Sequence, residues 1–370
     1  MSVCINNKSF KDPTKYKQML EINNKLGIKT GSTNKIVFVY SEPKVGSTTI
    51  VSSLRIFAAE KITIIHVHDE NMLKVLGNIT NTTVNEIIQF NQYIGRDVFV
   101  IDVYRNPIER KISAFFEKVS SLHFNNVDEK VNNYNINLII KRFNRIFPYI
   151  GTGDHFMDVY GITLPKEFDY IKKYMLVEEN GIKYLKLRLK DVQLWDKILS
   201  DVLGHKICIV KDYETNNKLV GNLYQKFKKH YKIPINYLED IKTDKYLNYY
   251  YSDIEMQTYI SEWNKKVCAK IEAFTPSQYD VYDEITIDNS HLDYIQTQHY
   301  IDEGCVCKAC NIKRIRVRNQ ILNGNPIAEK IYHNEAKYEL FKMQLQTTKM
   351  KNNRRKDFTA EMKQIVTRKR

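Results

Sequence analysis

The sequence predicts an α/β chain built on a central, mainly parallel sheet flanked by helices. Three observations carry that expectation. Residues 36–40 are a continuous run of β-branched and aromatic side chains, and 98–104 are a second run of the same kind around Asp102, the pattern of strands buried on both faces. Each run leads through a turn into a helical pattern, at 47–59 and 107–116. With 370 residues, 43% of them hydrophobic, the chain is long enough to bury the core such a sheet needs.

Residues 1–34 are polar, with an amphipathic stretch at 16–26 and a turn, Gly31-Ser-Thr-Asn34, before the first strand. They are expected to pack as an extension without chemistry. The start, Met1-Ser-Val-Cys-Ile-Asn-Asn-Lys8, lacks the apolar stretch of a secretory leader, and no run is long enough to span a membrane. A cytoplasmic protein with no transmembrane segment is the expectation.

Between the first strand and its helix lies Glu42-Pro-Lys-Val-Gly46. Strand, tight loop and helix start aim unpaired N–H groups and a positive helix end at an anion. Lys44 adds a mobile charge, Gly46 lets the backbone approach closely, and Ser47, Thr48 and Thr49 offer hydroxyls. The loop from Lys44 through Val45 and Gly46 to Thr49 therefore suits a phosphate or sulfate. It is not a Walker A loop, because the lysine precedes the only glycine. An ordinary strand-to-helix turn is the plainer alternative for this stretch alone.

The second strand, 61–68, ends in His66-Val-His68. The two histidines share one face near the strand's carboxyl end, where open α/β sheets place ligands. Histidine titrates near working pH, so either residue is a candidate general base, His68 first because it lies further out. Asp69 or Glu70 would orient it or take its place. Asn78-Ile-Thr80 and Asn81-Thr-Thr83 read as a polar turn ahead of a helix at 84–93.

The strand at 98–104 carries Arg105 at its tip, and Asn106-Pro107 starts the next helix, with Ser113 two turns in. Ile108, Ile112, Phe115 and Phe116 supply its core-facing stripe. A strand-end arginine and a helix-borne serine on the same sheet suit a second phosphate.

Pro43-Lys-Val-Gly-Ser-Thr-Thr49 resembles the 5′-phosphosulfate loop of sulfotransferases, Pro-Lys-Thr/Val-Gly/Ala-Thr/Ser-Thr. Arg105-Asn-Pro-Ile-Glu-Arg-Lys-Ile-Ser113 resembles their 3′-phosphate motif, Arg-Asp/Asn-Pro-x-Glu-Arg-x-x-Ser. His66-Val-His68, Leu187-Arg-Leu-Lys-Asp-Val192 and the segment from Tyr251 to Trp263 look like the putative capsular polysaccharide synthesis branch of that superfamily. The Asn-Lys-Trp-Tyr-Ser signature of that branch has only Asn217-Lys-Leu-Val-Gly221 as its nearest match.

The resemblance spans about residues 35–266 and implies a P-loop-type three-layer fold over 35–274. It further implies that 3′-phosphoadenylyl sulfate (PAPS) is the donor, with no metal required for transfer. Lys44, Val45, Gly46, Ser47, Thr48 and Thr49 would hold the 5′-phosphosulfate, while Arg105 and Ser113 would hold the 3′-phosphate. A glycan or other hydroxyl-bearing acceptor would be sulfated. The alternatives are a P-loop kinase using ATP, and a catalytically inactive polyanion-binding protein.

Further along, residues 131–147 are expected to be helical, and His155, Asp158 and Tyr160 are either substrate contacts or polar loop residues. Residues 183–189 alternate like a strand, 191–203 read as a helix and 206–210 as another buried strand. Residues 213–231 are basic and helical, and Ser252-Asp-Ile-Glu255 is a capping box.

From 275 the composition changes. Residues 275–310 form an acidic, then Cys-rich linker, in which His299, Cys305, Cys307 and Cys310 are a candidate zinc set. The crowding of all three cysteines into six residues speaks against a structural site. Residues 308–370 hold 17 Lys and Arg against 5 Asp and Glu, about +12 of the total +14. The tail over 311–370 is expected to be a basic, partly helical extension with weak attraction for polyanions.

Overall fold

The computed structural model describes residues 9–28, 34–117, 119–124, 128–210 and 219–286, together with Asn319 and Asn323. The turn at 31–33, the start of the expected helix at 213–218, the candidate zinc set and the basic tail apart from Asn319 and Asn323 lie outside the described residues.

Five strands form the central sheet, apart from a two-stranded pair at Ile233–Pro234 and Val267–Cys268: β1 (Lys35–Tyr40), β2 (Ile62–Val67), β3 (Asp97–Tyr104), β4 (Tyr174–Glu179) and β5 (Ile182–Arg188). Their order is β2-β1-β3-β5-β4. The first four are mutually parallel, and β4 closes one edge antiparallel to β5. The expected strand at 206–210 is a correction. Val210 donates its N–H to Ser53 Oγ and Ile207 donates to Ser200 Oγ, both at 2.9 Å. Those donors meet side chains, so the segment packs without joining the ladder.

Alternate residues of each strand feed two apolar layers. Val37, Val39, Phe99, Ile101 and Val103 pack with α2 (Ser47–Phe57) and the helix Trp195–Leu203. Ile36, Phe38, Tyr40, Val98, Val100 and Tyr104 face the opposite layer. That layer is built from α1 (Pro13–Lys25), α3 (Glu70–Gly77), α4 (Val84–Tyr93) and α5 (Pro107–Glu117), with the helices Ile136–Ile146 and Gly221–His230. Phe10, Met19 and Ile22 belong to this core. Among the described residues no helix is long and apolar enough to cross a membrane.

The helix starts follow local chemistry. Thr83 and Glu86 close a capping box on α4, and Ser252 and Glu255 close one on the helix Asp253–Asn264. α5 opens with Pro107, whose missing N–H is harmless at a first helical position. The expected helix at 191–203 starts instead as a 3₁₀ segment, Leu189–Leu194, before Trp195–Leu203.

Candidate active site

The helices after β1 and β3 lie on opposite faces of the sheet, α2 in one layer and α5 in the other. Adjacent parallel strands whose connections diverge in this way leave a crevice beyond their carboxyl ends. The loop at 41–46 and Arg105 both sit at that crevice.

Gly46 is the N-cap of α2, and no side chain caps that helix end. Its φ is +103°, and a Cβ there would meet Leu189 Cδ1 at 2.9 Å and Trp195 at 3.4 Å. Conformation and space both call for glycine. Lys44 is left-handed too, with φ of 67°, an uncommon and strained state for a residue with a Cβ.

Two arginines of the second motif hold this loop. Arg105 donates through Nη1 to the Lys44 carbonyl at 2.8 Å. Burial lowers its pKa, while Tyr224 and Glu109 favour its charge. Arg110 donates to the Gly153 carbonyl at 2.7 Å, to that of Thr152 at 3.2 Å and to that of Pro43 at 3.4 Å. It also forms an ion pair with Glu42 at 3.0 Å. Glu109 faces the other way, accepting from Tyr259 at 2.7 Å and Trp263 at 3.2 Å. Ser113 is buried on α5. Lys44 Nζ is ion-paired with Glu117, the last residue of α5.

The histidines stand beside the loop, their rings 4.7 Å apart. His66 is buried, with Nε2 3.2 Å from Ser47 Oγ, so it ties β2 to the start of α2. Burial and the neighbouring His68 push its pKa well down. His68 places Nδ1 2.6 Å from the Ser41 carbonyl. A carbonyl only accepts, so Nδ1 carries the hydrogen and Nε2 holds the lone pair. Burial keeps His68 below its usual range, hence neutral. A neutral imidazole with a fixed tautomer is the form a general base needs. Asp69 and Glu70 are otherwise engaged: Asp69 caps α3, and Glu70 accepts from Val84 N–H at 3.4 Å.

His155 braces this arrangement. Its Nε2 donates to the His68 carbonyl at 2.6 Å, and its Nδ1 lies 3.3 Å from Glu42 Oε1. Burial opposes its charge, but Glu42 and Asp102 hold its pKa above 6.5. Glu42 is correspondingly held below the usual carboxylate range by His155 and Arg110, against the effect of its own burial. A Cβ on Gly153 would come within 2.9 Å of Glu42 Oε1, so glycine keeps that carboxylate in reach.

Of the expected contacts at 155–160, His155 is therefore a brace. Asp158 pairs with Lys245 at 2.8 Å, and Tyr160 is buried with its hydroxyl on the Tyr40 carbonyl. Beneath the loop, Lys186 on β5 bridges Asp102 on β3 at 2.7 Å and Asp154 at 2.5 Å. The roles of Glu42, Arg110, Glu117 and this trio are set by partners distant in sequence. A charged residue inside an otherwise apolar strand run was the signal for Asp102. Among the described residues, no cluster of three or more His, Cys, Asp or Glu side chains is arranged to hold a metal.

Compared with family models, characterised proteins and solved structures, the chain matches none.

Proposed function

We propose that this chain is a PAPS-dependent sulfotransferase with a P-loop-type fold, moving a sulfuryl group to a hydroxyl acceptor. One observation carries the reading. The two motifs that resemble the donor-binding elements of sulfotransferases meet in space, with Arg105 on the Lys44 carbonyl at 2.8 Å. They meet at the crevice where an α/β sheet places its ligand.

In this reading the uncapped start of α2, with Ser47, Thr48 and Thr49, receives the 5′-phosphosulfate. Arg105 and Ser113 receive the 3′-phosphate, which separates this donor from ATP. His68 Nε2 accepts the acceptor's hydroxyl proton as the oxygen attacks sulfur. The bond from sulfur to the bridging oxygen breaks, and its electron pair stays on the 5′-phosphate, where Lys44 neutralises the charge. Such chemistry asks mainly for positioning and charge neutralisation. The resemblance to the capsule-associated branch favours a carbohydrate acceptor. The ATP-kinase reading has less support, because Lys44 precedes the only glycine of the loop.

Thermal shift with 3′-phosphoadenosine 5′-phosphate, 5′-AMP and ATP with Mg²⁺ tests the donor. Saturation at a hundred times Kd stabilises by about 2.7 kcal/mol. We expect a shift with the bisphosphate alone, lost in Arg105→Ala. A shift with ATP and none with the bisphosphate would overturn the proposal.

A further inference from the structure

We infer that Glu117 is a built-in competitor for the donor: it occupies Lys44 until the 5′-phosphosulfate displaces it, and so sets nucleotide affinity and release. The inference rests on the donor-site reading above. It starts from the ion pair between Lys44 Nζ and the Glu117 carboxylate, whose side chains are 15% and 28% exposed. Partial burial strengthens such a pair beyond that of a solvated surface contact.

Glu117 is poorly placed for its own helix. It ends α5, and no basic residue shares its last turn, so its charge adds to the negative end of the helix dipole. Lys44 is a cation that offsets it. The loop does not depend on this pair, because Arg105 grips the Lys44 carbonyl and Arg110 the Pro43 carbonyl. The lysine side chain can therefore exchange partners while the backbone stays in place.

On exchange, Lys44 gives up one anion for another. The released carboxylate remains beside the ligand as a like charge, which weakens donor and product alike. A ligand without a 5′-anion has no quarrel with Glu117, and that difference makes the inference testable.

Isothermal titration of the full chain and of Glu117→Gln would use 3′-phosphoadenosine 5′-phosphate and adenosine 3′-phosphate as probes. We expect the variant to bind the bisphosphate about three- to tenfold more tightly at low salt. Affinity for the 3′-monophosphate should stay within about twofold, since the change lies at Lys44. Glu117→Asp, which retracts the carboxylate, should fall between wild type and Glu117→Gln and guards against a folding defect in the latter. Unchanged or weaker bisphosphate binding in Glu117→Gln, or equal tightening of both ligands, would overturn the role of Glu117 alone. If neither wild type nor variant bound the bisphosphate, the donor-site reading itself would fall, and this inference with it.

Discussion

Replacing Lys186 with Met should be severely destabilising, and the size of the loss follows from the geometry. The Lys186 side chain is 0% exposed, and its partners Asp102 and Asp154 are 1% and 3% exposed. Removing the ammonium leaves two carboxylates facing each other in a dry layer. Each keeps some support: Asp102 accepts from the N–H groups of Val103 and Phe156, at 2.6 and 3.0 Å, and Asp154 accepts from the Tyr250 hydroxyl at 2.8 Å. Breaking a buried pair from one side costs about 3–5 kcal/mol. At about 2–4 °C per kcal/mol, Tm should fall by roughly 6–20 °C.

Burial and Asp154 already raise the pKa of Asp102 against the pull of Lys186. Without Lys186 it should rise further, so protonation relieves the folded variant as pH falls. The loss is therefore greatest near neutral pH and shrinks toward the acid range. Urea unfolding followed by tryptophan fluorescence, at two pH values and with the slope checked for constancy, measures it. A loss below about 1 kcal/mol, or one independent of pH, would mean that the trio is solvated and the reasoning wrong.

Two further outcomes follow from the site. Gly46→Ala forces a Cβ into a positive-φ position and against Leu189, so it should cost about 1–3 kcal/mol and weaken bisphosphate binding more than chain stability; titration calorimetry beside thermal melts separates the two. Ring-carbon NMR should find His68 titrating below 6.5 and His155 above it, because burial dominates the first and Glu42 supports the charge of the second. Glu42→Gln should lower the His155 midpoint, and a reversed order of the two histidines would refute the neutral state assigned to His68.

Much of the parallel sheet was legible because β1 and β3 are largely apolar runs and several helices begin with recognisable caps. α4 was expected over 84–93 and spans Val84–Tyr93, with Thr83 as its cap. β4 was not identified, although Asn180-Gly181, both with positive φ at 55° and 75°, is a hairpin turn between two β-rich runs. Residues 183–189 misled in another way. Their alternation marks a strand and two faces, but it does not show that the face with Lys186 and Arg188 is fully buried. Arg188 is matched by Asp191 at 2.6 Å and Glu255 at 2.8 Å, and Lys186 by its two aspartates. Periodicity reports which residues share a face; it does not report partners brought by other elements. For the same reason Lys44 and the motif residue Arg110 were visible in sequence, while the contacts of Arg110 and Glu117 with the loop were not.

Why the chain keeps so many charges in its core follows from what they touch. Lys186 fixes Asp154, and Asp154 accepts from Met157 N–H at 3.0 Å to start the short turn that carries His155. His155 then reaches both the His68 carbonyl and Glu42, and Glu42 leads to Arg110 on the helix after β3. The path runs from the middle of the sheet to both walls of the crevice. Apolar replacements of similar volume would often be as stable as buried ion pairs or more so. They would leave the strand that carries His66 and the loop at 41–46 free to shift relative to each other, because apolar contacts are not directional. Charge stabilisation in a transition state depends on dipoles and cations already held in place. The buried charges are therefore better explained by orientation than by stability, and their loss should damage ligand binding even in variants whose fold survives.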